Sequence, residues 1–134
     1  MGEQENTALV KQAYEKFKSG DIQALLGLFA DDIEWSMPEV ENAPFTGKRR
    51  GKEQVAQFFT LLEQSQHALE FEPQQFIAQD DKVVALGRYA WSVKSTDRTF
   101  ESDFAEAFTI RNGKICEFHE YADTAAQVAA YKRF

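Results

Sequence analysis

The sequence predicts an α+β fold with helices packed on one face of a curved, mainly antiparallel sheet. Three observations carry that reading. Apart from a short closing stretch, apolar residues at three-and-four spacing lie in the first half of the 134-residue chain. Long runs divided by turn signals fill most of the second half. A hydrophobic content of 43%, with twelve Phe, two Trp and four Tyr, supplies a core and opposes disorder despite 28% charged residues. Helical segments followed by strands are the pattern of α+β architecture.

The first helix is expected over Thr7 to Ser19, where Leu9, Val10, Ala13, Tyr14 and Phe17 form one stripe and Gly20 supplies the C-terminal stop. Asp21 opens a second helix running to Phe29 through Ile22, Leu25, Leu26 and Leu28, and Ala30-Asp31-Asp32 breaks it. Ile33 to Met37 alternates with period two until Pro38 limits the strand. The stretch to Gly51 then reads as a loop or short hairpin. Lys52 to Gln66 returns to helical spacing, with Val55, Phe58, Phe59 and Leu62 turned towards a sheet. Four strands follow at about 68 to 79, 82 to 95, 98 to 111 and 114 to 122, divided at Asp80-Asp81, Thr96-Asp97 and Asn112-Gly113. Asp123 then N-caps a short closing helix through Val128 and Tyr131. The length fits one domain, 1 to 134.

Charge and composition narrow the function. A net charge of −7 opposes non-specific attraction to a phosphate backbone, so no nucleic-acid partner is expected. Lys48-Arg49-Arg50, set between Gly47 and Gly51, reads as a solvated loop rather than an anion site. The single cysteine, Cys116, excludes an internal disulfide and points to a reducing compartment. MGEQENTALV lacks the basic and apolar regions of a secretory signal, and eighteen apolar residues never run together. A cytoplasmic protein without a membrane partner is the expectation. Two histidines far apart in sequence, with no HxH or HxxxH, give no metal site, and no cofactor is expected.

Residues 14 to 38, 45 to 59 and 111 to 126 carry "GD" before the second helix, "LFADDIEW" into the first strand, "GKRRGKEQVAQFF" into the third helix and "RNGKICEFHEYAD" near the end. In these motifs the chain resembles the SnoaL-like domains of the nuclear transport factor two and ketosteroid isomerase-like superfamily, over nearly its whole length. The resemblance implies a cone-shaped α+β barrel, with three N-terminal helices closing a conical pocket against the concave sheet face. It also implies a homodimer through the convex face. It does not fix chemistry, since the superfamily includes isomerases, cyclases, epoxide hydrolases, dehydratases and non-catalytic binders.

Which ionisable groups enter such a pocket depends on the register of the last hairpin. A two-residue type I′ turn at Asn112-Gly113 opposes Arg111 to Lys114 and puts Glu106 on one face with His119. A three-residue turn with a bulge opposes Phe108 to Cys116, Glu106 to Phe118 and Phe104 to Glu120. A slip of one residue reverses every side chain. The bulged register is adopted because it places Phe104, Glu106, Phe108, Cys116, Phe118 and Glu120 together. It agrees with a similarity to limonene epoxide hydrolases, in which Glu120 matches the catalytic acid and Arg88 its arginine. Ala90 stands where that site's second acid belongs. Against ketosteroid isomerases, Glu106 lies near the oxyanion-hole acid. There Met37 replaces the general base, and the oxyanion tyrosine falls at or near Ala13.

The candidate catalytic residues are therefore Glu120, its counter-ion Arg88, and Glu106. Trp35, Met37, Tyr14, Phe58, Phe104 and Phe118 are the candidate ligand-binding wall, with core packing as the competing role for Trp35, Met37 and Tyr14. Burial raises a carboxyl pKa into the acid/base range and a neighbouring arginine lowers it. His119 and Tyr121 fall on the convex face, as do Tyr89 and Trp91, whose parity is opposite to Arg88; they are assigned to an interface. Cys116 reads as buried and inert. The function expected is a hydrophobic small-molecule binder or an enzyme of isomerase, cyclase or epoxide hydrolase type. A non-catalytic carrier and a dimeric interaction module are the alternatives.

Overall fold

A computed structural model describes residues 2–133. Four helices and six strands follow in the order α1 (Glu3–Lys18), α2 (Ile22–Leu26), β1 (Phe29–Met37), β2 (Gly47–Arg50), α3 (Gly51–Ser65), β3 (Gln66–Gln79), β4 (Lys82–Val93), β5 (Thr99–Arg111), β6 (Lys114–Ala122) and α4 (Thr124–Tyr131). The sheet order is β2-β1-β6-β5-β4-β3. It is mixed, because β1 runs parallel to β6 while the other neighbours are antiparallel.

Local chemistry sets the element ends. Gly20 takes a positive φ of 77° after α1, a conformation that glycine adopts without penalty. Asp21 accepts from the Ala24 amide at 3.1 Å and Asp123 from the Ala126 amide at 3.1 Å, each satisfying an amide that the first turn leaves free. The second helix is shorter than expected and the first strand longer: Phe29 to Asp32 lie in β1. Phe29 pairs with Ile115 across the parallel β1–β6 contact, and this tertiary pairing overrides the local helical spacing. Lys48-Arg49-Arg50 forms part of β2, paired with Trp35 and its neighbours.

The core lies between the sheet and the helices. α1 packs on β3 and β4, α3 on β1, and α4 on β5. The helices bury Val10, Ala13 and Tyr14 of α1 and Val55, Phe58, Phe59 and Leu62 of α3. At about 1.5–3 kcal/mol for each large apolar side chain removed from water, that α3 stripe alone is a major part of the helix's attachment. Among the described residues no helix is long and apolar enough to cross a membrane.

The last hairpin corrects both expected registers. Asn112 and Gly113 have φ of 53° and 73°, the type I′ signature, and Arg111 opposes Lys114. The ladder then shifts between Thr109 and Ile110, which pair with Glu117 and Ile115 and leave Cys116 as the extra residue. Beyond this bulge Phe108 opposes Phe118 and Glu106 opposes Glu120. Of the six residues expected on the inward face, Phe104, Glu106, Phe108, Phe118 and Glu120 are buried and Cys116 is not; the bulge is four residues past the turn's start and the cross-strand partners differ by two. Cys116 itself is only partly buried and donates weakly to the Thr109 carbonyl at 3.4 Å.

Candidate functional site

The concave face and the helices form a cavity of about 70 Å³, lined by side chains from all four helices and from β1, β3, β4, β5 and β6. Trp35 and Met37 come from β1, Tyr14 from α1, Phe58 from α3 and Phe118 from β6, so five of the six expected wall residues line it. Its volume is well under the roughly 300–1,000 Å³ of a pocket for a drug-sized ligand. Trp35 stacks on Phe118 at 3.9 Å with 18° between the rings, and Phe58 lies 5.2 Å from Trp35, which narrows the cone.

The sixth, Phe104, is not a lining residue. Its ring stacks on Phe71 and Tyr89 and occupies the space that a side chain at residue 87 would take, since a Cβ there would lie 2.7 Å from Phe104 Cζ. Gly87 makes Phe104 a core residue.

The site's polar centre is a pair of carboxyls. Glu106 and Glu120, directly opposed on β5 and β6, are 4% and 5% exposed. Tyr14 Oη donates to Glu106 Oε1 at 2.5 Å, and Tyr89 Oη donates to Glu120 Oε2 at 3.2 Å. Gln127 Nε2 in turn donates to Tyr89 Oη at 3.4 Å. Hydroxyl donors reach charged oxygens at about 2.5–2.7 Å, shorter than their neutral contacts. The Tyr14 contact is therefore the stronger of the two, and it favours the charged form of Glu106 more than the Tyr89 contact favours that of Glu120.

Electrostatics agree. Burial raises the Glu106 pKa, and hydrogen bonds from Glu120 and Tyr14 oppose the rise. Glu120 is pushed well above the ordinary carboxyl range, first by burial and then by the charge of Glu106 beside it. Two opposed buried carboxyls cannot both ionise cheaply, which favours a shared proton, and of the two Glu120 is the group that retains it. Burial also drives the Tyr14 and Tyr89 hydroxyls far upwards, and both remain donors.

Arg88 does not join this centre. It lies on the convex face, 2.9 Å from Glu101, 3.8 Å from Asp103 and 4.0 Å from Glu70. The parity expected for β4 is reversed: Val83, Ala85, Tyr89, Trp91 and Val93 point inward and are buried. Tyr89 and Trp91, expected at an interface, line the cavity instead. A guanidinium in that aromatic interior would lose its hydration, whereas outside it meets three carboxylates. His119 and Tyr121 do face outward, with rings stacked at 4.2 Å.

Sequence reasoning missed Tyr89 and Gln127 as polar members of the site and did not recognise Tyr14 as the donor to Glu106. The run Val83-Val84-Ala85-Leu86 is apolar on both parities, so alternation gave no orientation. The signal available was charge: Arg88 falls opposite Asp103 and next to Glu101 across the β4–β5 ladder. Among the described residues no group of three or more His, Cys, Asp or Glu is placed to hold a metal ion.

Residues 10–118 match the model of the SnoaL-like domain. An NTF2-like protein from Burkholderia xenovorans LB400 is 36% identical, with a TM-score of 0.89 over 98% of this chain and 99% of that one. An NTF2-like protein of unknown function from Burkholderia pseudomallei K96243 is 22% identical, with a TM-score of 0.86 over 99% of this chain and 100% of that one. TerC, co-crystallised with polyporic acid, is 24% identical, with a TM-score of 0.79 over 96% of this chain and 99% of that one. The last two similarities concern the fold alone. No curated protein matches this chain.

Proposed function

Since the chain belongs to the SnoaL-like domain family, we propose that it is a small-molecule enzyme whose Glu106–Glu120 pair performs acid/base chemistry in an apolar cone. The observation that carries this reading is the pair itself: two buried carboxyls opposed at one position of the ladder, each held by its own tyrosine. A merely structural core would gain more from apolar side chains there, because burying a charge is costly without a cationic partner. TerC, which shares the fold, was crystallised with a small molecule.

In the proposed step Glu120 gives its proton to a substrate oxygen as negative charge develops on it. The pair recovers one proton from the substrate or from water, so the enzyme ends as it began. Tyr14 holds Glu106 ionised during the exchange, and Tyr89, backed by Gln127, orients Glu120. The reaction class is isomerisation, cyclisation or epoxide opening of a hydrophobic substrate. The size of the cavity favours a compact reacting end.

The test is turnover of a panel of small epoxides, enones and lactones by the wild type, Glu120→Gln and Arg88→Ala, with folding checked by circular dichroism. General acid catalysis contributes about 10²–10⁴-fold, so Glu120→Gln is expected to lose at least about a hundredfold. Arg88→Ala, on the outer face, is expected to keep wild-type turnover. Full activity in Glu120→Gln would remove the acid/base reading. Binding of panel members without conversion would favour a ligand carrier.

A further inference from the structure

The cavity's polar inventory is lopsided. Among the described residues its lining holds two glutamates and no lysine, arginine or histidine. Glu106 and Glu120 already receive the Tyr14 and Tyr89 hydroxyls, and Gln66 Oε1 receives the Tyr131 hydroxyl at 2.5 Å. Among the described lining residues, the Trp35 indole N–H is a fully buried donor without a hydrogen-bond partner, in a residue 5% exposed. Buried polar groups are nearly always paired, so each orphan requires an explanation. The aromatic rings around it do not supply one. Phe29, Phe58, Phe59 and Phe118 surround the indole, and an N–H over a ring is a second-order interaction.

Trp35 is also well placed relative to the carboxyls. It pairs with Phe118 across β1 and β6, and Glu120 lies two residues further along the same face of β6.

We propose that the Trp35 indole N–H is a substrate-positioning donor that selects an uncharged oxygen acceptor, a ketone, ester or ether oxygen, and that carboxylate and phosphate ligands are excluded. The selection has two physical parts. An acceptor is required because only an acceptor satisfies the orphan N–H. An anion is rejected because the lining offers no cation to replace its hydration, and a carboxyl pair already occupies the site. The inference rests on the cavity being the ligand site and adds the ligand's charge class and the residue that reads it.

The experiment is a titration of ¹⁵N-labelled protein with two compounds of the same shape and opposite charge class, methyl isopropyl ketone and isobutyrate, followed through the two indole N–H signals. Trp35→Phe assigns the signals, and Trp91→Phe provides the same assignment should the first variant not fold. The ketone is expected to move the Trp35 signal downfield, and isobutyrate at the same concentration to leave it unmoved. Loss of one hydrogen bond to a neutral group corresponds to about a fivefold weaker binding of the ketone to Trp35→Phe. Failure of the ketone to bind, binding that leaves the Trp35 signal in place, or equal binding of isobutyrate would each overturn the inference. A mobile Trp35 signal with normal turnover in Glu120→Gln would instead remove only the acid/base reading.

Discussion

At the scale of single residues the account depends on an asymmetry between two chemically identical groups. Glu106 has the shorter tyrosine contact and Glu120 the longer one, and burial first and the charge of Glu106 second raise the Glu120 pKa. The sign of the effect on stability follows. A carboxyl whose folded pKa lies above its ordinary 4.5 contributes stability below that pH and loses it as pH rises through the folded value. Unfolding free energy of the wild type is therefore expected to fall on going from pH 4.5 towards neutrality. One such group gives a slope of about 1.4 kcal/mol per pH unit. Glu120→Gln, a permanent mimic of the protonated acid, is expected to flatten that slope in urea denaturation across pH. An unchanged slope would mean that Glu120 ionises normally. Trp35 lines the same cavity as the pair, and its buried indole N–H has no hydrogen-bond partner among the described residues.

At the scale of elements, two irregularities aim the site. The bulge at Cys116 rotates the far half of β6 so that Glu120 rather than His119 meets Glu106. The ladder between β3 and β4 shifts near Pro73, opposite Gly87, where the strands approach closely: a Cβ on Gly87 would lie 2.3 Å from the Glu72 carbonyl and 2.9 Å from Pro73 Cα. Gly87→Ala is expected to destabilise by about 1–3 kcal/mol, since backbone on one side and the Phe104 ring on the other leave little room to yield. Its urea midpoint should fall, and an unchanged midpoint would contradict this packing.

These elements also show what the sequence disclosed. Asp21 and Asp123 act through local chemistry and were readable as such, while the turn at Asn112-Gly113 was located but is the two-residue type I′ turn rather than the three-residue turn adopted from the sequence. The Cys116 bulge was not, because nothing in Lys114-Ile115-Cys116-Glu117 marks an extra residue. Arg88 was assigned to the pocket through a family pattern whose second acid is absent at Ala90. The strand's own parity, apolar on both faces, could not correct it.

At the scale of the molecule the sheet, the helices and the aromatic core serve one purpose in this account: they keep two carboxyls dry and opposed. The fold was legible from the order of periodicities, and the inward glutamates from the last hairpin. The tyrosine on β4 was legible only through long-range pairing. The central claim is that the pair holds one proton at neutral pH. The most direct measurement is a ¹³C NMR titration of the glutamate side-chain carboxyls, with Glu106→Gln and Glu120→Gln used for assignment. The expected result is two interacting signals that titrate above the ordinary carboxyl range, with Glu120 the further displaced. Both signals titrating at the ordinary carboxyl value of 4.5 would contradict it.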